Sequence, residues 1–247
     1  MRPLLELREV TRSFRGLTAV DTVTFSVDQG QIVGLIGPNG AGKTTLFSVI
    51  SGFLRPTKGA VFFDGQRIDS LRPDQVCHRG IVRTFQLVKP FHEMTVLENV
   101  MVGAFCRTTS RHQAEAIALE VLEFLGLSDR SRDPAGILTT PDRKRLEIAR
   151  ALATQPRLLL LDEMMSGLTP TEVQTMLALV RQIRQRGITI VVIEHVMRAI
   201  MSLADTIVVL HHGRLIAEGT PSEIIGNPAV LDAYLGEGLL LADGEPH

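Results

Sequence analysis

Apolar and polar positions alternate over Leu4 to Val10 and again over Val23 to Val27, the period of strands with one wetted face. Ala60 to Phe63 runs into Asp64-Gly65, a strand entering a turn. A different pattern lies between them: the apolar run Gln31 to Ile36 leads into a glycine-rich segment and then a short helix, Thr44 to Ile50, ending near Ser51-Gly52 with Arg55-Pro56 beyond. From Thr95 to Ala153 helix formers dominate. Val121, Leu122, Phe124 and Leu125 are apolar there, and Leu146, Ala149, Leu152 and Ala153 recur at helical spacing. Past Pro156 the pattern reverts to strand, helix, strand: Leu158 to Leu161, Thr171 to Arg186, Ile188 to Ile193. A further strand, Thr206 to Leu210, precedes a polar turn at His211-His212-Gly213. The start of the long helix reads residue by residue, with Thr169 as cap, Pro170 in the first position, Glu172 completing a capping box and Gly187 ending the run.

Strands that are apolar throughout and separated by helices predict an α/β fold whose parallel sheet is covered on both faces. The opening reads as β-rich and the middle as a mainly helical insert. The chain of 247 residues is 45% apolar, enough for a continuous core. Its formal charge of −1 argues against a general nucleic-acid binder, which needs an excess of Lys and Arg. No apolar run approaches the roughly 18 residues that span a bilayer, and Met1 to Glu6 lacks a secretory segment, so a cytoplasmic protein is expected. Cys77 and Cys106 read as isolated, packed thiols without a function.

The candidate chemistry begins with Gly37-Pro38-Asn39-Gly40-Ala41-Gly42-Lys43-Thr44, a complete G-x-x-x-x-G-K-[ST] phosphate loop between a strand and a helix. Its glycines let backbone N–H groups converge on one anion, Lys43 adds charge for the β- and γ-phosphates, and the Thr44 hydroxyl can join the shell of a Mg²⁺. Thr45 extends the first helical turn towards the α-phosphate. Asp162-Glu163 emerges at the carboxyl end of a buried strand, the edge where open α/β sheets bind ligands. Asp162 is placed to hold Mg²⁺ through water and Glu163 to polarise an attacking water. Gln86, after the short strand Ile81 to Phe85, can ligate Mg²⁺ and sense the γ-phosphate. His195 leaves the sheet at the same edge.

This order of motifs resembles the ATP-binding subunit of ABC transporters over essentially the whole chain. Gly37 to Thr44 matches the Walker A motif, Gln86 the Q-loop, Leu158 to Asp162 the Walker B motif, Glu163 the catalytic glutamate, Ser166 to Thr169 the D-loop and His195 the switch histidine. Phe14 matches the aromatic that stacks on adenine, beside a plain core-packing reading of the same residue. The resemblance implies a P-loop NTPase with a RecA-like parallel sheet, an N-terminal antiparallel β-subdomain and an inserted α-helical subdomain. The whole chain, 1–247, would be one cassette, with 1–91 and 156–247 forming the β-subdomain and core and 92–155 the helical subdomain. It also implies ATP and Mg²⁺ as ligands, a second ATP-binding subunit, two transmembrane permease subunits contacted around Leu87 to Asn99, and an extracellular or periplasmic solute-binding protein met indirectly. The subunit would sit peripherally on the cytoplasmic face of the membrane, with no nucleic-acid partner. Arg83 to Gln86, Met94 to Val100, Glu194 to Met197 and Ala233 to Gly236 look most like importers of branched-chain amino acids, with urea and short-amide importers near relatives.

The signature segment departs from the family pattern. Leu-Ser-x-Gly-Gln is replaced by Leu138-Thr139-Thr140-Pro141-Asp142, ahead of Arg143-Lys144-Arg145. Thr139, with Thr140 beside it, keeps a hydroxyl for the partner's ATP, whereas Pro141 removes a backbone donor and Asp142 adds a negative charge. Thr140-Pro141 reads as cap and first residue of the following helix. A functional asymmetry follows, and a heterodimer is favoured.

Overall fold

The computed structural model describes residues 2–84 and 90–235. An antiparallel sheet comes first, from β1 (Leu5–Phe14) and β2 (Leu17–Val27), and is completed by β4 (Lys58–Phe63) and β5 (Gln66–Arg67) in the order β2-β1-β4-β5. Between them run β3 (Ile32–Ile36) and α1 (Lys43–Ile50). The chain continues through α2 (Pro73–Arg79), β6 (Ile81–Arg83), α3 (Val96–Ala104), α4 (Arg111–Phe124) and α5 (Thr140–Leu152). It then passes through β7 (Leu158–Asp162), α6 (Pro170–Gln185), β8 (Thr189–Ile193), α7 (Met197–Leu203), β9 (Thr206–His211), β10 (Arg214–Gly219), α8 (Pro221–Ile225) and α9 (Pro228–Leu235).

The second sheet has the order β10-β9-β3-β8-β7-β6; it is parallel apart from β10, which pairs antiparallel with β9 at one edge. All residues of β3, β7 and β8 are buried. Strand alternation sends successive side chains to opposite cores. Leu159, Leu161, Ile190 and Val192 face one that includes α3 to α7. Leu158, Leu160, Val191 and Ile193 face another, shared with α1 and the antiparallel sheet. The parallel sheet is thus covered on both sides, and its carboxyl edge is left between the two layers.

The first hairpin is longer than the alternation suggests. β1 reaches Phe14, but its register with β2 shifts after Leu7, after Val10 and after Arg12, and each shift breaks the period of two. To the expected parallel sheet the structure adds β10, a short antiparallel edge strand whose Arg214 and Glu218 are exposed and whose pattern is too polar to read as a buried strand. Thr169 caps α6 as read, with its N–H donating to Glu172 Oε2 over 2.7 Å. The thiols of Cys77 and Cys106, isolated in sequence, lie with their sulfurs 3.6 Å apart. Among the described residues no helix is long and apolar enough to cross a membrane.

Candidate nucleotide site

The phosphate loop is held by backbone from distant segments. Gly37 has φ of +147°, and a Cβ there would fall 2.0 Å from Leu210 O at the end of β9. Gly42, at φ +101°, would bring a Cβ within 2.3 Å of Ala19 O on β2. Only glycine fits either place, so the loop's open curve is built by close approach of its neighbours. A Cβ on Gly40 would meet nothing within 4 Å, which leaves that side of the loop open to a ligand. Ala41 is buried, while Asn39 and Gly40 are exposed. Lys43 is nearly buried, and its Nζ donates to Gly37 O over 2.6 Å and Pro38 O over 2.9 Å, so the ammonium lies inside the curve of the loop. Thr44 and Thr45 follow in the first turn of α1, whose positive end faces the same space.

Asp162 ends β7 and is buried. Its Oδ2 accepts from Arg83 Nη2 over 2.6 Å, and Arg83 Nη1 donates to Ser48 Oγ over 2.9 Å. Ser48 Oγ in turn donates to Thr44 O over 2.8 Å. A relay of three hydrogen bonds therefore joins Asp162 to the backbone of Thr44, two of the three residues read as Mg²⁺ holders. Both offer hard oxygen donors, as Mg²⁺ requires, and Asp162 already accepts a cation's hydrogen bond in a buried place, so the set fits the ion.

Glu163 follows with φ of +51° and donates its N–H to Ile193 O over 2.9 Å, which turns the chain out of the sheet. Its Oε1 lies 2.7 Å from His195 Nε2, with the glutamate side chain largely buried and the histidine 43% exposed. The two residues read separately as a catalytic base and a switch are thus in direct contact. Gln86 lies outside the described residues.

Two further residues brace this edge. Lys144 on α5 is buried and donates through Nζ to Ser166 O over 2.7 Å and to Glu163 O over 3.3 Å. Burial lowers its pKa below that of an ordinary lysine, against the pull of Glu194, Glu147 and Glu163. Glu194, also buried, accepts from Met165 N over 2.7 Å, and burial raises its carboxyl to about 7. Neither was singled out in sequence. The signal for Lys144 is its helical spacing with Glu147, Ile148 and Ala151, all buried. Glu194 offers only its place at the end of an apolar strand.

Phe14 is 38% exposed, which excludes a core role, and the Arg12 guanidinium stands 4.5 Å from its ring centre. Thr139 and Thr140 are exposed at the start of α5. The helix cap is Thr139 and not Thr140. Thr139 takes the extended conformation and accepts from Asp142 N over 3.4 Å, because Thr140 is already helical and Pro141 follows in the second position. Thr139 Oγ1 also donates to Asp142 Oδ2 over 2.9 Å.

A phosphate loop, an oxygen-donor pair joined to it and a glutamate–histidine pair, all at one edge of a parallel sheet with an antiparallel sheet and helices packed on it, define a P-loop ATPase of the ATP-binding cassette class. The family model described as ABC transporter matches residues 20–166, and that for the branched-chain amino acid ATP-binding cassette transporter matches 214–239. The chain belongs to the ABC transporter family, as an ATP-binding and ATP-hydrolysing cassette. It is 42% identical to the high-affinity branched-chain amino acid transport ATP-binding protein BraF of Pseudomonas aeruginosa, over 96% of this chain and 99% of the relative. It is 41% identical to the corresponding protein LivG of Escherichia coli K12, over the same shares. A solved ATP-binding cassette of an ABC transporter in its ADP conformation superposes with a TM-score of 0.87 at 34% identity, covering 96% of this chain and 100% of that one. A dimeric cassette in a post-hydrolysis state, bound to ADP and Pi, gives 0.80 at 25% identity, over 88% and 98%.

Proposed function

We propose that this chain energises an importer of branched-chain amino acids, with Glu163 as the residue that polarises the attacking water. The 2.7 Å contact between Glu163 Oε1 and His195 Nε2 carries the mechanism. It fixes the plane of the carboxylate at the sheet edge that the phosphate loop shares, so the glutamate can aim at a water in line with the γ-phosphate. Gly37, Pro38, Asn39, Gly40, Ala41 and Gly42 wrap the phosphates with backbone, Lys43 supplies charge to the β- and γ-oxygens, and Thr44 and Thr45 present the helix start. Phe14 stacks on the adenine. Thr44, Gln86 and Asp162 would hold Mg²⁺, which when bound neutralises charge developing on the phosphate oxygens. Lys144 and Glu194 hold the backbone from Glu163 to Ser166 in place.

The substrate assignment is supported by the names of the relatives and by the match at 214–239. Pairing with a second cassette is supported by the dimeric neighbour and by the exposure of Thr139 and Thr140, which would face the partner's ATP. Because the Thr139 hydroxyl is engaged by Asp142 and Pro141 offers no N–H, the site completed by this signature is the weaker of two, which favours a heterodimer. Two transmembrane permease subunits complete the assembly at the cytoplasmic face, and an external solute-binding protein delivers the solute to them. Vesicles containing the chain with its copurifying membrane subunits should take up labelled leucine, isoleucine or valine when ATP is present. They should lose uptake with Glu163→Gln. Uptake of urea, or of none of the three amino acids, overturns the substrate.

A further inference from the structure

Cys77 lies in the last turn of α2, and Cys106 two residues beyond the end of α3. Both are free thiols, 29 residues apart in sequence, with their sulfurs 3.6 Å apart. A third group completes the cluster: His78 Nδ1 is 3.6 Å from Cys106 Sγ. Arg107, the residue after Cys106, grips the end of α2. It donates through Nη1 to His78 O over 3.0 Å and through Nη2 to Cys77 O over 3.4 Å, while its Nε reaches Thr154 O over 2.5 Å. The backbones carrying the two sulfurs are therefore pinned to one another, and both thiols remain partly accessible.

We propose that Cys77 and Cys106 are a reversible redox modification site, which a hydroperoxide converts to an intramolecular disulfide that slows ATP turnover. His78 Nδ1 takes the Cys106 thiol proton, and the Cys106 sulfur attacks the terminal oxygen of the hydroperoxide. The O–O bond breaks, the departing oxygen takes the proton from His78 and leaves as an alcohol or water, and Cys106 becomes a sulfenic acid. The sulfur has lost two electrons and the hydroperoxide has gained them. Cys77 sulfur then bonds to Cys106 sulfur as the S–O bond breaks, and the hydroxyl leaves with the Cys77 proton as water. Burial pushes the Cys77 thiol up to about 11, which leaves the first attack to Cys106 beside His78, while the short gap between the sulfurs makes Cys77 the group that reaches the sulfenic acid.

Disulfide closure shortens the 3.6 Å gap to about 2 Å. It ties α2 to the end of α3 across a ring of chain that contains β6 and, by sequence, Gln86. β6 carries Arg83, the partner of buried Asp162. A clamp on α2 thereby acts one short strand away from the nucleotide site.

The full-length chain treated with hydrogen peroxide and digested without reductant should yield a linked Cys77–Cys106 peptide, two hydrogens lighter than the reduced pair and released by dithiothreitol. In the assembled transporter, ATP turnover should fall by about tenfold, an ordinary size for coupling between sites, and recover on reduction. Cys77→Ser and Cys106→Ser should keep basal turnover and resist the oxidant. Only sulfinic acid or intermolecular links, a linked peptide with unchanged turnover, or equal loss in the serine variants each overturns the proposal. The linkage is read by mass, so it stands or fails whichever solute is carried.

Discussion

Arg83 and Asp162 form a buried ion pair at 2.6 Å between β6 and β7, and the same guanidinium reaches Ser48 on α1. The Asp162 carboxylate is therefore held by partners of its own. It is already tied, through Ser48 and Thr44, to the helix that follows the phosphate loop.

Removing one member of a buried pair leaves the other charge unpaired. Arg83→Met should destabilise the fold by about 3 kcal/mol, seen as a lower urea midpoint with an unchanged slope. Arg83→Lys should restore only part of it, since an ammonium cannot match the planar fork that serves two acceptors. An unaltered midpoint in Arg83→Met would show that the pair contributes nothing.

Glu163→Gln should reduce steady-state ATP hydrolysis by about a thousandfold while ATP binding, measured by equilibrium titration, persists. His195→Ala should act in the same direction through loss of the 2.7 Å contact and by a smaller factor. Unchanged turnover in Glu163→Gln would falsify the assigned base.

Glu194 predicts a pH effect. Its folded carboxyl titrates at about 7 and its unfolded one near 4.5, so between these values the folded state holds a proton that the unfolded state has released. Stability from this group is full below pH 4.5 and lost as pH rises through 7, by roughly 3 kcal/mol at most. Glu194→Gln, which keeps an acceptor for Met165 N, should flatten that slope in urea titrations at pH 5 to 8. A slope equal to that of the parent protein would assign the effect elsewhere.

Changing Thr139-Thr140-Pro141-Asp142 to Ser-Gly-Gly-Gln in the assembled complex should raise ATP turnover and the nucleotide occupancy of the partner's site. The change restores a backbone donor and removes the carboxylate that now holds the Thr139 hydroxyl. If neither quantity moves, the two sites are equivalent.

The layered α/β fold was legible because β3, β7 and β8 are apolar on both faces and the helices between them begin with readable caps, as at Thr169. β10 was not, since an edge strand with exposed Arg214 and Glu218 carries no alternation to detect. The phosphate loop and the carboxylates at the end of β7 announce themselves by contiguous motifs. Contacts between distant residues do not. The Arg83–Asp162 pair, the Lys144 bonds to Glu163 and Ser166, and the Cys77–Cys106 approach depend on which strands and helices become neighbours. The cap of α5 shifted from Thr140 to Thr139 because two adjacent threonines offer the same chemistry, and only backbone geometry selects between them.

Gly42 is pressed against Ala19 O from β2, and the turn after β9 closes over the same place, with Gly213 N donating to Ala41 O over 3.0 Å and Asp21 N donating to Gly213 O over 2.8 Å. During synthesis the loop emerges about 170 residues before Gly213, an interval of roughly 10 to 30 s at ordinary rates of translation. For that time a nascent chain carries every residue of the phosphate loop without the wall that shapes it. ATP can meet the shaped loop only once Gly213 has been made and has docked on Ala41 and Asp21, so nucleotide acts on the packed wall and not as a template for it.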